Sequence, residues 1–392
     1  MASGRHSRLS SQLRRAPTRY RPLERIAVGG MAEVWRGEAI FEDGSRQVVA
    51  IKRVLPALAS EPVYRSMFVD EARLGMLLRH RNIVRVYDAR EVAGTYIMIM
   101  ELVDGTSLKS MLDRAHARGA CMPLPAALYV ARELLEALDY AHLLHDEQGA
   151  HLGIIHRDVS PHNVLLGKNG DVKLADFGLA DAKVHETIKG DALVGGKLGY
   201  LAPEIVGGVQ GDHRVDLFAA GVVLWEALAG RRLFQGRDDT ETVRNVATAD
   251  IPPPSRFNPA LPPEVDDFVL HALERDPSLR FPSAAAFRDG LDELLTRYGQ
   301  GVGSRDVALL VSMHLAAVRL DPIARPGIEG LVSLDALAAE LDAFAQEAAA
   351  DEAGAVPLDP SEFESPGIHS GVRRHPAPPA TTAPDDDWFD GR

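Results

Sequence analysis

His156, Arg157, Asp158, Val159, Ser160, Pro161, His162 and Asn163 run consecutively, and Asp176, Phe177 and Gly178 follow, starting thirteen residues after the asparagine. No other feature constrains the chain as strongly. The spacing places one carboxylate five residues before an amide and a second carboxylate further on. Moving a γ-phosphoryl group from ATP to a hydroxyl needs those parts. One carboxylate orients the hydroxyl and accepts its proton, while the amide and the other carboxylate hold Mg2+.

The order and spacing resemble the catalytic loop H-R-D-x-x-x-x-N and the metal loop D-F-G of the eukaryotic-like (Hanks-type) bacterial serine/threonine protein kinases. The resemblance covers about residues 20–297 and implies an α+β, bilobal protein kinase fold. A small β-rich N-lobe would occupy residues 20–103 and a larger helical C-lobe residues 104–297. The resemblance further implies ATP and Mg2+ as cofactors and protein substrates as partners. Asp158 becomes the catalytic base, Asn163 and Asp176 the Mg2+ ligands, and His156 with Phe177 the packing residues that align the two loops.

Upstream, Ile26, Ala27, Val28, Gly29, Gly30, Met31, Ala32, Glu33 and Val34 resemble the family's phosphate-binding hairpin G-x-G-x-x-G-x-V. Glycines there let backbone N–H groups reach phosphate oxygens without Cβ obstruction. Ala27 and Ala32 replace the first and third glycines, and Gly29 keeps the second. Lys52 follows in Val49, Ala50, Ile51, Lys52, like the family's V-A-I-K strand. A lysine buried in so apolar a strand is costly unless an anion meets it, and Glu71, nineteen residues on in a predicted helix, is the expected partner. Met98 to Val103 resemble the strand and hinge beside adenine, with Met100 as gatekeeper and backbone groups of Glu101 and Val103 facing the base.

Downstream, Ala202, Pro203 and Glu204 match the family's A-P-E motif. Arg280 is expected to pair with Glu204, and Asp216 to brace the catalytic loop from a central helix. These three favour a protein kinase over a small-molecule phosphotransferase of the antibiotic- or choline-kinase type.

Two positions depart from the family pattern. Ser160 stands where a lysine usually stabilises charge on the moving phosphoryl group, and a protonated His162 or a remote lysine is the expected substitute. Lys197 stands where a threonine usually contacts the catalytic aspartate. Together with the two missing glycines, these departures keep open a pseudokinase acting as a nucleotide-binding scaffold. Retention of Lys52, Glu71, Asp158, Asn163 and Asp176 favours an active, autophosphorylating enzyme in bacterial signalling. Thr187 is the one Ser or Thr between Phe177 and Glu204, hence the conventional acceptor if phosphorylation orders this segment.

Apolar spacing predicts strands over Ile26–Trp35, Gln47–Val54 and Thr95–Leu102. It predicts helices over Tyr64–Arg79, Leu124–Leu144 and Val215–Ala229. Ser304 and Ser333 open two further amphipathic helices in a helical extension over residues 304–349. His314 falls on the apolar side of the first and reads as a hydrogen-bonded structural residue.

The rest of the 392 residues is read from composition. Residues 1–19 form a basic arm expected to be disordered. Arg5, Arg8, Arg14, Arg15, Arg19 and Arg21 appear without an acid in the first 22 residues, although the net charge is −13. Such an arm can be a transit peptide, a contact for nucleic acid or an acidic partner, or a solvated tail; the solvated tail is the reading preferred, and no nucleic-acid partner is expected. Residues 350–392, with seven prolines, are expected to be a disordered acidic tail, and Trp388 and Phe389 among aspartates could dock a partner. Cys121 is the only cysteine, which excludes an intrachain disulfide and suits the cytoplasm. No apolar run reaches the roughly 18 residues of a membrane span. Nothing in the sequence specifies an oligomeric state.

Overall fold

The computed structural model describes residues 17, 19–55, 58–59, 61–92, 95–177, 197–320 and 356–357. Gly178, Thr187, most of the basic arm, the helix expected from Ser333 and the Trp388–Phe389 peptide lie outside the described residues.

The first part is an antiparallel sheet built from β1 (Arg19–Val28), β2 (Ala32–Ile40), β3 (Arg46–Val54), β4 (Val86–Val92) and β5 (Thr95–Glu101). Its strand order is β1-β2-β3-β5-β4, with the two-residue β9 (Val356–Pro357) on the outer edge of β4. Successive side chains of a strand point to opposite faces. Val49 and Ile51 of β3 therefore join Trp35, Ile97 and Ile99 on one face, while Ala50 joins Met100, Val84 and Ala175 on the other. Lys52 shares the parity of Ala50, so it is aimed at the second lobe.

Helix α1 (Pro62–Leu77) starts with a proline in its first turn, where no backbone donor is lost. It lies close against β4, since a Cβ on Gly75 would come within 2.4 Å of Val86 Cγ2. The helix is shorter than the expected Tyr64–Arg79 span at its C-terminal end. The backbone turns extended at Leu78, which leaves Leu77 half exposed and tucks Leu78 into the core.

The second part carries a small sheet of β6 (Gly105–Ser107), β7 (Val164–Gly167) and β8 (Val172–Leu174). Around it lie α2 (Leu108–Ala117), α3 (Leu124–His142), α4 (Pro203–Val206), α5 (Arg214–Ala229), α6 (Asp239–Thr248), α7 (Pro263–Ala272), α8 (Ala284–Tyr298) and α9 (Ser304–Leu320). Helix α5 is buried from Val215 to Ala229, which fits a sequence with no polar face. It stops at Gly230, whose φ of 66° is left-handed and whose missing Cβ would come within 2.5 Å of the Ala120 carbonyl oxygen. No helix among the described residues is long and apolar enough to cross a membrane.

Helix α9 is part of this body. Val307 and Val311 are buried in its core, His314 Nε2 lies 3.0 Å from Ser110 Oγ, and Arg114 donates to the Ala317 carbonyl at 3.0 Å. The helix start sits on the β7–β8 turn: a Cβ on Gly170 (φ 86°) would come within 1.8 Å of the Ser304 carbonyl oxygen. Gly170→Ala is expected to cost about 2 kcal/mol in urea unfolding, because backbone strain adds to displacement of α9. Gly208→Ala has a similar φ of 76° and open space around it, so it should cost only about 1 kcal/mol.

Candidate active site

The catalytic-loop residues are set from below by α5. Asp216, 1% exposed in its first turn, accepts from the His156 N–H at 2.8 Å and the Arg157 N–H at 2.7 Å. His142 Nε2 lies 2.8 Å from the same carboxylate. Arg157 needs that hold, because its φ of 59° is a left-handed conformation that a long side chain disfavours. Burial alone would raise the Asp216 pKa, but the His142 hydrogen bond and the bond from the His156 N–H outweigh it and keep it below the ordinary aspartate value.

His156 links this brace to the metal loop. Its Nδ1 faces the Asp158 N–H at 3.1 Å and its Nε2 faces the Ala175 carbonyl at 3.0 Å. A carbonyl only accepts and an N–H only donates, so the ring is the neutral tautomer with hydrogen on Nε2. Complete burial lowers its pKa in the same direction. Its ring meets Phe177 edge-on at 4.4 Å between centroids. The Ala175 N–H donates to the Asn163 carbonyl at 2.8 Å, which ties the two loops together through backbone.

Lys52 lies between two acids from opposite lobes. Its Nζ is 2.5 Å from Glu71 Oε1 on α1 and 2.9 Å from Asp176 Oδ1. Burial pulls the Lys52 pKa down, yet Asp176 and Glu71 more than reverse this, so the ammonium stays charged. Asp176 is also left-handed, at φ 63°. Among the described non-glycine residues, positive φ occurs only at Arg157 and Asp176.

Asp158 and Asn163 come together within their loop. Asn163 Nδ2 donates to the Asp158 carbonyl at 2.8 Å and to Asp158 Oδ2 at 3.2 Å. Lys197 Nζ donates to the same Oδ2 at 2.7 Å and reaches Asn163 Oδ1 at 3.5 Å. The expectation that His162 supplies a cation is overturned. Burial, then the neighbouring charges of Lys197, Lys109 and Arg232, push its pKa down to about 4, so the ring is neutral near pH 7. Lys197, remote in sequence, is the lysine that lies at this carboxylate.

The Glu204 and Arg280 side chains meet in two parallel bonds of 2.8 and 2.7 Å. The other guanidinium bonds go to the carbonyls of Glu274, Arg214 and Arg275, so this buried cation is well satisfied. In the β1–β2 turn the Gly29 N–H donates to the Ala32 carbonyl at 2.8 Å, with Gly30 and Met31 at its tip. Ile26 and Val28 are exposed beside it, while Val34 packs with Ala50, Met100 and Val103. The Glu33 carboxylate is turned away from this cleft face, 3.4 Å from both Arg25 and Arg53. At the hinge, the Glu101 N–H is taken by the Arg85 carbonyl at 2.8 Å.

Two supporting networks were not anticipated from sequence. Tyr200 donates to Glu226 of α5 at 2.7 Å, and Arg232 binds both. Buried Asn82 donates to Glu133 at 2.8 Å and to the Val172 carbonyl at 2.9 Å, joining the end of the first lobe to α3 and β8. Glu226 is a lone acid inside an apolar stretch, a sequence signal that was available, whereas Asn82 follows Arg79, His80 and Arg81 and carries none.

An antiparallel sheet over a helical body, with a lysine bridging acids from both and a braced carboxylate below, defines the protein kinase class. The protein kinase domain family matches residues 20–289, and the chain belongs to that family. It is 35% identical over 300 residues to Tyrosine-protein kinase MasK of Myxococcus xanthus, covering 76% of this chain and 46% of that protein. It is 34% identical over 271 residues to Serine/threonine-protein kinase PrkC of Bacillus subtilis, covering 69% and 40% respectively. The chain thus spans less than half the length of both relatives. A crystal structure of the Mycobacterium tuberculosis PknI kinase domain matches with a TM-score of 0.54 and 28% identity, over 70% of this chain and 94% of that one.

Asp216→Asn presents an amide N–H where three donors converge, so it should cost about 3 kcal/mol in urea unfolding at pH 7. Because the folded pKa of Asp216 is depressed, the stability it contributes is present above the ordinary aspartate value. That stability is lost as the pH falls below about 4, a loss the asparagine variant should lack. His162→Gln should leave the shape of the pH–rate profile between pH 6 and 8 unchanged in steady-state assays.

Proposed function

We propose that the protein transfers the γ-phosphoryl group of ATP to serine and threonine hydroxyls of protein substrates, itself included, as a cytoplasmic signalling enzyme. One observation carries this reading. A bonded chain runs from Glu71 through Lys52 to Asp176, and backbone and ring contacts continue it to Asn163 and Asp158. A scaffold needs none of these five side chains in register, whereas phosphoryl transfer needs them all.

The family works with ATP and a divalent metal. The oxygens of Asn163 and Asp176 are hard donors suited to Mg2+, which when bound neutralises charge on the phosphates. Lys52, held by Glu71, presents its ammonium to the α- and β-phosphates. The Gly29–Gly30 turn offers backbone N–H groups beside them. Met100 closes the back of the adenine slot, and the backbone of Glu101 and Val103 borders its edge. Asp158 accepts the proton of the acceptor hydroxyl as its oxygen bonds to phosphorus and ADP leaves. The Glu204–Arg280 pair fixes the end of the segment on which a protein substrate would lie.

The Myxococcus relative is named a tyrosine kinase, so the acceptor is the point to test. Purified protein incubated with labelled ATP should incorporate phosphate, and Asp158→Ala should reduce this about 10³-fold. Acid hydrolysis should release phosphoserine and phosphothreonine, and a labelled peptide containing Thr187 is the expected sign of autoactivation. Phosphotyrosine alone would replace the serine/threonine assignment. Label that persists without Asp158 would remove the enzyme assignment.

A further inference from the structure

The loop from Asp158 to Asn163 contains no lysine or arginine. Ser160 is 1% exposed, and its Oγ has no hydrogen-bond partner among the described residues. His162 Nδ1 is likewise buried without a partner among the described residues. Three negative charges nevertheless develop or gather here: the Asp158 carboxylate, the Asp176 carboxylate and the moving phosphoryl group. A preorganised cation aimed at that charge is worth more than one recruited from water.

We propose that Lys197, carried on the segment after the metal loop, supplies at the transferred phosphoryl group the positive charge that Ser160 cannot. Its ammonium is held between Asp158 Oδ2 at 2.7 Å and Asn163 Oδ1 at 3.5 Å, the base and a metal ligand of the proposed reaction. The side chain is 22% exposed, so it borders the open cleft instead of lying sealed in the core.

The backbone behind Lys197 is fixed. The Tyr200 N–H closes a turn onto the Lys197 carbonyl at 3.0 Å, and the Tyr200 hydroxyl is tied to Glu226 of α5. Gly199 passes so close to Phe234 that a Cβ would come within 3.0 Å of its carbonyl oxygen. The cation is therefore positioned by the segment and by α5, not by the catalytic loop.

This inference rests on the phosphotransfer reading above, and its test separates the two. Lys197→Thr should lower kcat about 10²-fold while leaving KM for ATP within about threefold. Lys197→Arg keeps a cation and should remain within about tenfold of wild type. Ser160→Lys added to Lys197→Thr should recover at least tenfold. A readout independent of turnover is calorimetry of Mg-ADP with and without aluminium fluoride, which stands in for the moving phosphoryl group. Lys197→Thr should bind Mg-ADP like wild type but lose the tightening that the fluoride brings.

Several results would overturn the proposal: unchanged or raised kcat in Lys197→Thr, which would make the pair a lock on Asp158; equal losses in the Arg and Thr variants; or fluoride tightening that survives the threonine. A wild type that transfers no phosphate would sink the phosphotransfer reading alone, since the calorimetry still reports on Lys197. Melting temperatures within a few degrees of wild type confirm that the variants are folded.

Discussion

The buried carboxylate of Asp216 is the constraint on which the site rests. It converts a central helix with no polar face into a fixed reference for a loop of unusual shape. Two consecutive backbone N–H groups converge on it, at His156 and Arg157, and so select a left-handed conformation at Arg157 that the residue would not adopt unaided. That kink sets the exit direction of the chain toward Asp158. It also leaves His156 with its two ring nitrogens committed, one to the Asp158 N–H and one to the Ala175 carbonyl. The orientation of the second loop is thus inherited from the first, and both are inherited from α5.

Lys52 performs the corresponding task between lobes, by charge instead of backbone. An ammonium removed from water is stable only while its acids are present. Glu71 belongs to α1, and Asp176 to the loop after β8. The first lobe, α1 and the metal loop are therefore coupled through one buried side chain. If α1 moved away, Lys52 would keep one acid and lose the other, so the nucleotide-facing geometry and the helix position are one variable. The apolar face around Ala50, Val84, Met100 and Ala175 joins the lobes alongside this ion pair, where solvent exclusion strengthens it.

Much of this was legible in the sequence for a physical reason. The loops that carry Asp158, Asn163 and Asp176 are short, so their resemblance to the protein kinase motifs can be read from contiguous sequence. The β3 strand and α5 carry unbroken apolar runs. Strand β4 was not legible, because Asp88, Arg90 and Glu91 interrupt any alternation; only in the fold does Asp88 find the Tyr20 hydroxyl and Arg90. Helix α9 was legible from its period. The partner of its His314 was not, because Ser110 stands some two hundred residues earlier.

The pairing of Ser160 with Lys197 shows what motif reading leaves out. Each residue alone is a departure that weakens the case for catalysis, since one removes a cation and the other replaces a hydroxyl. Folding brings the lysine, remote in sequence, to the carboxylate of the loop that lacks one, where its side chain contacts Asp158. Electrostatic stabilisation depends on where a charge sits, not on which loop carries it. A chain can therefore exchange the bearer of a charge and keep the field.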